Sequence, residues 1–312
     1  MSASTNAKDI PARVVESFGR RVIVETSAGL RWHAGLFGRR LACVCGDRVL
    51  VRPSLAPGQD EPRVVSVESR TSLLARTDSR GRTEILAANV GLLVVVIAPQ
   101  PTPDPFVADR YLAGAALAGI DAIVVVNKTD LQAAVSQDFE AIVAEYRRAG
   151  YETVTLSAAQ NCGVEALRAL LVDRIAMLVG QSGVGKSTLT NVLTPDSSRA
   201  TRTLSSATGE GRHTTVSTAL FRIPSGGELI DSPGVRDYAP PLVEDALVQV
   251  GWRDILAVAP QCRFNNCLHL REPGCAVVEA VATEQLSPRR YESYKRLLNT
   301  MRQLAPEYQR RK

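Results

Sequence analysis

The sequence predicts a doubly wound α/β core, preceded by a small all-β barrel and followed by an α-rich unit that binds a metal. Three observations carry this prediction: short strand-like segments before residue 71, apolar runs alternating with helix-like segments from 72 to 240, and three cysteines with a histidine after 241. A chain of 312 residues is long enough for two or three domains with separate cores. We expect domains at 1–71, 72–240 and 241–312.

The segment before residue 71 alternates short strand-like stretches with turn-forming glycine and proline. Strands are predicted at 12–15, 21–25, 30–33, 47–52 and 63–67. Many short strands of this kind are typical of a small barrel, and an OB-fold and an SH3-like barrel both fit the number. The OB-fold is the natural candidate for 1–71, and since such folds bind oligonucleotides, an OB-fold here would be an RNA-binding barrel.

The segment from 72 to 240 contains runs of Val, Ile and Leu separated by helix-like stretches. Such runs are typical of parallel strands that are covered by helices on both faces of the sheet. The predicted strands are 91–98, 122–126, 153–156, 175–179, 219–223 and 228–230.

Composition is that of a folded protein, with 45% apolar and 22% charged residues. The longest apolar stretch, 90–98, is far shorter than the ~20 residues that a membrane-spanning helix needs. Residues 1–10 lack the basic and apolar regions of a secretion signal. We therefore expect a cytoplasmic monomer without a membrane partner.

The net charge of +5 is concentrated at the C-terminus, where residues 287–312 contain eight basic and two acidic residues. A basic tail favours a polyanionic partner such as RNA, and a solvated charged helix explains it equally well. The spacing of Tyr291, Tyr294, Leu298 and Met301 predicts an amphipathic helix packed on its own domain.

A phosphate-binding loop is predicted between the strand 175–179 and a helix-like run at 188–193. Its pattern, G-x-x-x-x-G-K-S, lets backbone N–H groups converge on phosphate, while Lys186 reaches the β- and γ-phosphates and Ser187 binds Mg²⁺. The predicted nucleotide contacts here are Gly180, Gln181, Ser182, Gly183, Val184, Gly185, Lys186, Ser187 and Thr188.

The choice of guanine over adenine is predicted from the motif Asn127-Lys128-Thr129-Asp130, which follows the strand 122–126. Ligands bind at the carboxyl ends of such strands. Asp130 can accept hydrogen bonds from N1–H and N2–H₂ of guanine, and adenine has no such donors. Ser157 and Ala158, after the strand 153–156, fit the loop whose backbone contacts guanine O6.

Two further segments are typical of nucleotide-sensing switches. Asp231 and Gly234 form a D-x-x-G motif after the strand 228–230, with Asp231 on Mg²⁺ and Gly234 at the γ-phosphate. The segment 211–215, between the phosphate loop and this motif, is a plausible first switch, and within it we favour Thr215 over Thr214 as the magnesium ligand. Since the base-reading motifs precede the phosphate-binding ones, the core is predicted to be a circularly permuted P-loop GTPase.

Catalysis is predicted to be slow without a partner, because Val235 stands where many GTPases place a water-orienting glutamine. His213 lies beside the switch threonines and is a candidate for orienting that water, although contact with RNA or solvent explains it equally well. The candidate catalytic residues are His213, Lys186 and Thr215.

A structural zinc site is predicted from three cysteines and one histidine within fourteen residues. Three thiolates and an imidazole form the closed tetrahedral shell of such a site, whereas buried free cysteines are the alternative. The predicted ligands are Cys262, Cys267, His269 and Cys275, with one Zn²⁺ per chain. Cys43, Cys45 and Cys162 have no companions and are expected to be plain thiols.

Together these motifs resemble the ribosome small-subunit-dependent GTPase family over nearly the whole chain. The resemblance rests on NKTD, SA, GQSGVGKS, GRHTT and DSPG in that order, followed by C-x₄-C-x-H-x₅-C with EPGCAV. It implies an N-terminal OB-fold, binding of GTP and GDP with Mg²⁺, activation by the small ribosomal subunit and its rRNA, and a role in late maturation of that particle. Asn89-Val90-Gly91 departs from the usual NVD of the family, and residues 1–12 are poor in basic charge for an RNA-binding arm.

Two alternatives remain from the sequence. A GTPase that serves tRNA or another RNA would share the nucleotide motifs, and only the flanking domains argue against it. A non-catalytic RNA-binding scaffold would share the barrel, the zinc unit and the basic tail, and would not need Lys186, Ser187 and Asp231 together.

Overall fold

The protein is described from a computed structural model, which defines residues 8–54, 61–131, 133, 135–195, 218–231 and 238–305. Its N-terminal strands close into a five-stranded barrel, because β1 pairs with both β2 and β4 while β3 pairs in parallel with β5. Buried Val14, Val22 and Val64 belong to its interior. This arrangement is OB-like and decides between the two predicted barrels. The strands are β1 (Ile10–Phe18), β2 (Arg21–Thr26), β3 (Arg31–Leu36), β4 (Arg48–Arg52) and β5 (Arg63–Val67).

The predicted α/β core is confirmed. Its strands lie in the order β10-β9-β8-β11-β13-β12. Successive residues of β8 face opposite sides, so that Leu93 belongs to one buried cluster and Val94 to the other. The strands are β8 (Leu92–Ile97), β9 (Asp121–Val126), β10 (Thr153–Thr155), β11 (Ile175–Val179), β12 (Thr218–Arg222) and β13 (Glu228–Asp231), with helices α1 (Pro105–Leu117), α2 (Gln137–Arg148), α3 (Val164–Leu171) and α4 (Lys186–Leu193).

One strand departs from the prediction of a fully parallel sheet. β12 runs antiparallel to β13, since Ile223 and Gly227 close a turn that is far too short for a parallel crossover. The free edge of β12 pairs with β1, joining Glu16 to Ala219. The barrel and the core therefore share one eleven-stranded sheet.

A hairpin that the sequence did not predict connects the barrel to the core. Its strands, β6 (Leu73–Thr77) and β7 (Thr83–Ala88), form a separate two-stranded sheet. Leu74 and Ala87 are fully buried in the same cluster as Leu93, so the hairpin covers part of one face of the core. The sequence did contain a signal for this hairpin, namely a short apolar run on each side of the polar turn at 78–82.

The C-terminal unit is α-rich, as predicted, and its last helix contains the four residues whose spacing predicted it. Buried Tyr294, Leu298 and Met301 share a cluster with Ala113 of α1. Gly251 approaches α1 so closely that a Cβ atom there would lie 2.6 Å from the Cβ of Ala113. The unit contains a 3₁₀ helix (Asp245–Gly251), α5 (Arg253–Val258), α6 (Ala276–Ala282) and α7 (Pro288–Leu304). The domain limits at 71 and 240 remain predictions.

Two of the eight basic residues counted in 287–312 are internal ion-pair partners, which neither interpretation of the C-terminal charge predicted. Arg290 is 1% exposed and pairs with Asp109 of α1 and Asp254 of α5. Arg289 pairs with Asp109 and with Glu145 of α2. Carboxylates of the core and of α5 neutralise these two cations. The resulting ion pairs fasten α7 to the core. Residues 306–312, which hold the last three basic residues, lie outside the described part of the chain.

None of the helices in the described ranges is both long and apolar enough to span a bilayer.

Candidate functional site

The predicted phosphate loop lies between β11 and the N-terminus of α4. Gly180, Gly183 and Gly185 have φ angles of 138°, 84° and 95°, which side chains disfavour. A Cβ atom at Gly180 would lie 2.2 Å from the carbonyl oxygen of Val96, and one at Gly185 would lie 2.4 Å from Nδ2 of Asn127. These two glycines are therefore required by close approach of their neighbours as well as by φ.

Lys186 begins α4 and folds back over the loop. Its Nζ donates to the carbonyl oxygens of Gly180 and Gln181, both at 2.8 Å. Burial lowers the pKa of Lys186 and raises that of Asp231, and the charge of each group opposes the shift of the other. The two predicted phosphate and magnesium groups therefore share one partly buried site at the ends of α4 and β13.

Asn127 joins three of the predicted motifs. Its Nδ2 donates to the carbonyl oxygen of Val184 in the phosphate loop at 2.9 Å. Its Oδ1 accepts the backbone N–H of Ala158 at 3.0 Å. The side chain is 2% exposed, so both hydrogen bonds are shielded from water. Segments 31 and 57 residues away in sequence are thereby held at fixed positions around one asparagine.

Lys128 and Asp130 each contact a different neighbouring segment. Lys128 adopts a φ of 65°, and its Nζ donates to the carbonyl oxygens of Gly183 at 2.6 Å and Gln100 at 3.0 Å. Asp130 accepts a hydrogen bond from Oγ of Ser157 at 2.5 Å. These contacts link the predicted base-reading motif to the phosphate loop through Lys128 and to the loop at Ser157 through Asp130.

The structure places the predicted residues of the first and second switches only in part. Asp231 is the last residue of β13, and Ser187 and Thr188 lie in the first turn of α4. Four predicted residues lie outside the described part of the chain: His213, Thr214, Thr215 and Gly234. Their roles stay predictions.

The predicted metal ligands converge on one point. The ligand atoms of Cys262, Cys267, His269 and Cys275 all lie within 4.8 Å of one another. His269 Nδ1 is 3.5 Å from Sγ of both Cys262 and Cys275. Burial raises the pKa of Cys267 to about 12 and also raises that of Cys275, so a cation is needed to hold them as thiolates. The cluster is compatible with a structural metal site.

Gln249 completes this cluster, and the sequence analysis missed it. Its Oε1 lies 2.9 Å from Nε2 of His269. Since an amide oxygen only accepts, Nε2 carries the proton and Nδ1 is left free to bind metal. No motif marks a glutamine twenty residues before its histidine, so sequence offered no signal for it.

The loop between the ligands is held from two directions. Glu272 accepts the backbone N–H groups of Leu268, Leu270 and Arg271. Burial opposes the charge on Glu272, but these donors outweigh it and hold its pKa at about 2. From α7, the hydroxyls of Tyr291 and Tyr294 donate to the carbonyl oxygens of His269 and Leu268. The ligand loop is therefore pre-shaped by its own unit.

Comparison with known proteins gives a consistent result. Residues 67–240 match the family model described as RsgA GTPase. The protein named "Small ribosomal subunit biogenesis GTPase RsgA" from Azotobacter vinelandii is 40% identical over 95% of this chain and 86% of its own length. The protein of the same name from Pseudomonas fluorescens is 40% identical over 92% of this chain and 84% of its own.

Two solved structures have the same fold. The structure of YjeQ from Thermotoga maritima superimposes with a TM-score of 0.73 at 27% identity, covering 94% of this chain and 99% of that one. The structure of YloQ, described as a circularly permuted GTPase, gives a TM-score of 0.71 at 24% identity, covering 99% of this chain and 100% of that one.

Proposed function

Since this chain belongs to the RsgA GTPase family, we propose that it hydrolyses GTP in the maturation of the small ribosomal subunit and that this subunit activates it. The observation that carries the proposal is the position of Asn127, which ties the base-reading segments to the phosphate loop. A loop that binds phosphate alone would not need Asp130 and Ala158 held beside it. The arrangement therefore supports a nucleotide whose base is read as guanine.

We assign the nucleotide contacts as the sequence predicted them. Asp130 reads the guanine edge, Ser157 and Ala158 supply the neighbouring loop, and the phosphate loop with Lys186 holds the phosphates. Mg²⁺ would be held by Ser187, Asp231 and Thr215, because hydroxyl and carboxylate oxygens are the ligands it prefers. Its charge would also relieve the cost of ionising Asp231, whose pKa burial raises.

The ion we propose for the C-terminal cluster is one structural Zn²⁺. Three thiolates and one imidazole suit zinc and leave no open position for chemistry. Gln249 fixes the histidine tautomer that such an ion requires. The unit at 241–312 would then be a metal-stabilised module beside the GTPase core at 72–240.

An RNA partner is supported by one end of the barrel at 1–71. Phe18 and Phe37 are 40% and 55% exposed, and aromatic side chains of this kind stack on unpaired bases. Arg20 donates to the carbonyl oxygen of Gly38 and so holds the β1–β2 turn against the segment that contains Phe37. Arg39 is exposed beside them and adds positive charge for phosphates.

The direct test measures phosphate release from GTP by the purified protein alone, with small subunits and with large subunits. We expect the protein by itself to hydrolyse GTP slowly. Small subunits, and not large ones, should raise the rate at least about tenfold, because the partner would complete the catalytic site. Lys186→Ala is the control, since it removes the cation that holds the phosphates. Equal stimulation by both subunits, or none, would contradict the proposed partner.

The same assay tests His213 as the residue that orients the attacking water. We expect His213→Ala to bind GTP and the small subunit normally and to lose the stimulated rate. Full stimulated activity in that variant would assign the role to the ribosome or to another residue.

Base specificity is tested by Asp130→Asn. An amide can donate to the oxygen that xanthine carries where guanine has its amino group, so preference is expected to shift from GTP towards xanthosine triphosphate. Loss of one charged and bidentate contact should weaken GTP binding by about 10- to 100-fold. Competition of both nucleotides against a fluorescent guanine nucleotide measures the shift. Unchanged GTP affinity would remove Asp130 from the base site.

A further inference from the structure

Gln181 follows the first glycine of the phosphate loop, and its side chain contacts the segment between β8 and α1. Its Nε2 donates to the carbonyl oxygen of Thr102 at 3.1 Å. Its Oε1 accepts the backbone N–H of Asp104 at 2.9 Å. One amide orientation alone satisfies both contacts, because one partner accepts and the other donates. The side chain is therefore engaged with the segment between β8 and α1.

That segment, residues 98–104, is stiff. It contains prolines at 99, 101 and 103, each with a fixed φ and without an N–H group. Asp104 ends it as the N-cap of α1, where its carboxylate accepts the N–H of Phe106. We call residues 98–104 the proline brace. Its C-terminal end is thus fixed to a thirteen-residue helix.

The brace meets the phosphate loop at one further point directly and at another through Lys128. A Cβ atom at Gly183 would lie 3.2 Å from Cδ of Pro101, so the loop and the brace are in contact there. The carbonyl oxygen of Gln100 accepts from Nζ of Lys128, which also donates to Gly183. The brace therefore contacts the loop directly at Pro101, Thr102 and Asp104, and Gln100 is linked to it through Lys128.

The backbone of Gln181 is itself part of the site. Its carbonyl oxygen accepts from Nζ of Lys186, and the preceding Gly180 has a φ of 138° that only glycine adopts readily. Fixing the side chain of Gln181 to the brace therefore fixes the flexible start of the loop.

We propose that Gln181 is a positioning residue, which anchors the phosphate loop to the proline brace through its side chain and thereby keeps the loop N–H groups directed at the phosphates. This rests on the proposed function, since it takes a guanine nucleotide as the ligand. This role belongs to the side-chain amide of Gln181. It is separate from the contact with phosphate that the backbone N–H groups of the loop are predicted to make.

The test compares Gln181→Leu, which has nearly the same volume and no hydrogen-bonding groups, with the unaltered protein. Equilibrium titration with a fluorescent GDP analogue is expected to give a Kd about tenfold higher, a change of about 1.4 kcal/mol, which corresponds to the net loss of one to two hydrogen bonds. The Kd for a non-hydrolysable GTP analogue should rise by the same factor, because both nucleotides use the same loop.

Steady-state kinetics separates positioning from simple loss of stability. Positioning of bound phosphates contributes equally to substrate and transition state, so KM should rise about tenfold while kcat stays within about twofold. Partial unfolding would instead lower kcat by reducing the number of active molecules and leave KM unchanged. Pro103→Gly loosens the brace without removing a hydrogen bond, and its KM is expected to rise by a smaller factor.

Gln137→Leu is the matched control, because Gln137 is an exposed glutamine at the start of α2. It should bind GDP as the unaltered protein does. If the unaltered protein binds GDP and Gln181→Leu binds it equally well, the positioning role is wrong and the proposed function stands. If the unaltered protein does not bind GDP, both are overturned.

Discussion

Chelation of the metal is expected to unfold the C-terminal unit before the GTPase core loses any structure. The ligand loop at 262–275 has no helix or strand among its described residues, and Cys267 and Cys275 belong to the buried cluster of the unit. Binding of zinc to such a site contributes about 10–16 kcal/mol to folding in small zinc modules. Without the ion, the buried thiols of Cys267 and Cys275, the partly buried thiol of Cys262 and His269 would have to supply the same cohesion through weak hydrogen bonds.

Tryptophan fluorescence can follow this unfolding in isolation. The chain has two tryptophans, Trp32 in the barrel and Trp252 in the C-terminal unit. Trp252 is 1% exposed and packs edge-on against Tyr294, with ring centroids 5.5 Å apart. In a Trp32→Phe variant, a red shift on adding chelator would report Trp252 alone. Circular dichroism of the core helices should change later, at higher temperature or denaturant.

Two cysteine variants supply the controls. Cys267→Ser removes a buried ligand and should lose the metal, whereas Cys162→Ser changes an exposed thiol outside the cluster and should keep it. Because the thiols must lose protons to bind, the affinity is expected to fall as pH falls. Protein prepared without chelator that contains no zinc by elemental analysis would contradict the assignment.

Substitution Asp109→Ala is expected to lower the free energy of unfolding by about 3–5 kcal/mol, the cost of leaving buried charges unpaired. The carboxylate of Asp109 is completely buried in α1 and accepts from both Arg289 and Arg290 of α7. Burial opposes the charge on Arg290, but Asp254 and Asp109 outweigh it and raise its pKa above the usual value. The arginine therefore stays charged when its partner is removed.

An ion pair of similar length at the surface provides the comparison. Arg302 of α7 pairs with Asp245 at 2.7 Å, and both side chains are about 40% exposed. Asp245→Ala should cost at most about 1 kcal/mol. Denaturant unfolding of both variants measures the difference. Equal losses would show that the Asp109 cluster is not what fastens α7 to the core.

The sequence alone determined the candidate chemistry of this protein. Each predicted motif supplies its groups from consecutive or nearly consecutive residues, as in the phosphate loop at 180–187 and the ligands at 262–275. The chemical groups and their local backbone are then present in any fold that contains the segment. The barrel, the core and the last helix were also predicted, because apolar periodicity of two or of three to four residues reports burial directly.

The tertiary structure decided how these parts are joined. The reversal of β12, its pairing with β1 and the hairpin at 73–88 depend on turn length and on a free sheet edge, which periodicity does not encode. Likewise Gln249, Asp109 and Arg290 act through partners 20 to 181 residues away. A charged or amide side chain looks the same in sequence whether it faces water or a distant partner, since only packing determines which it meets.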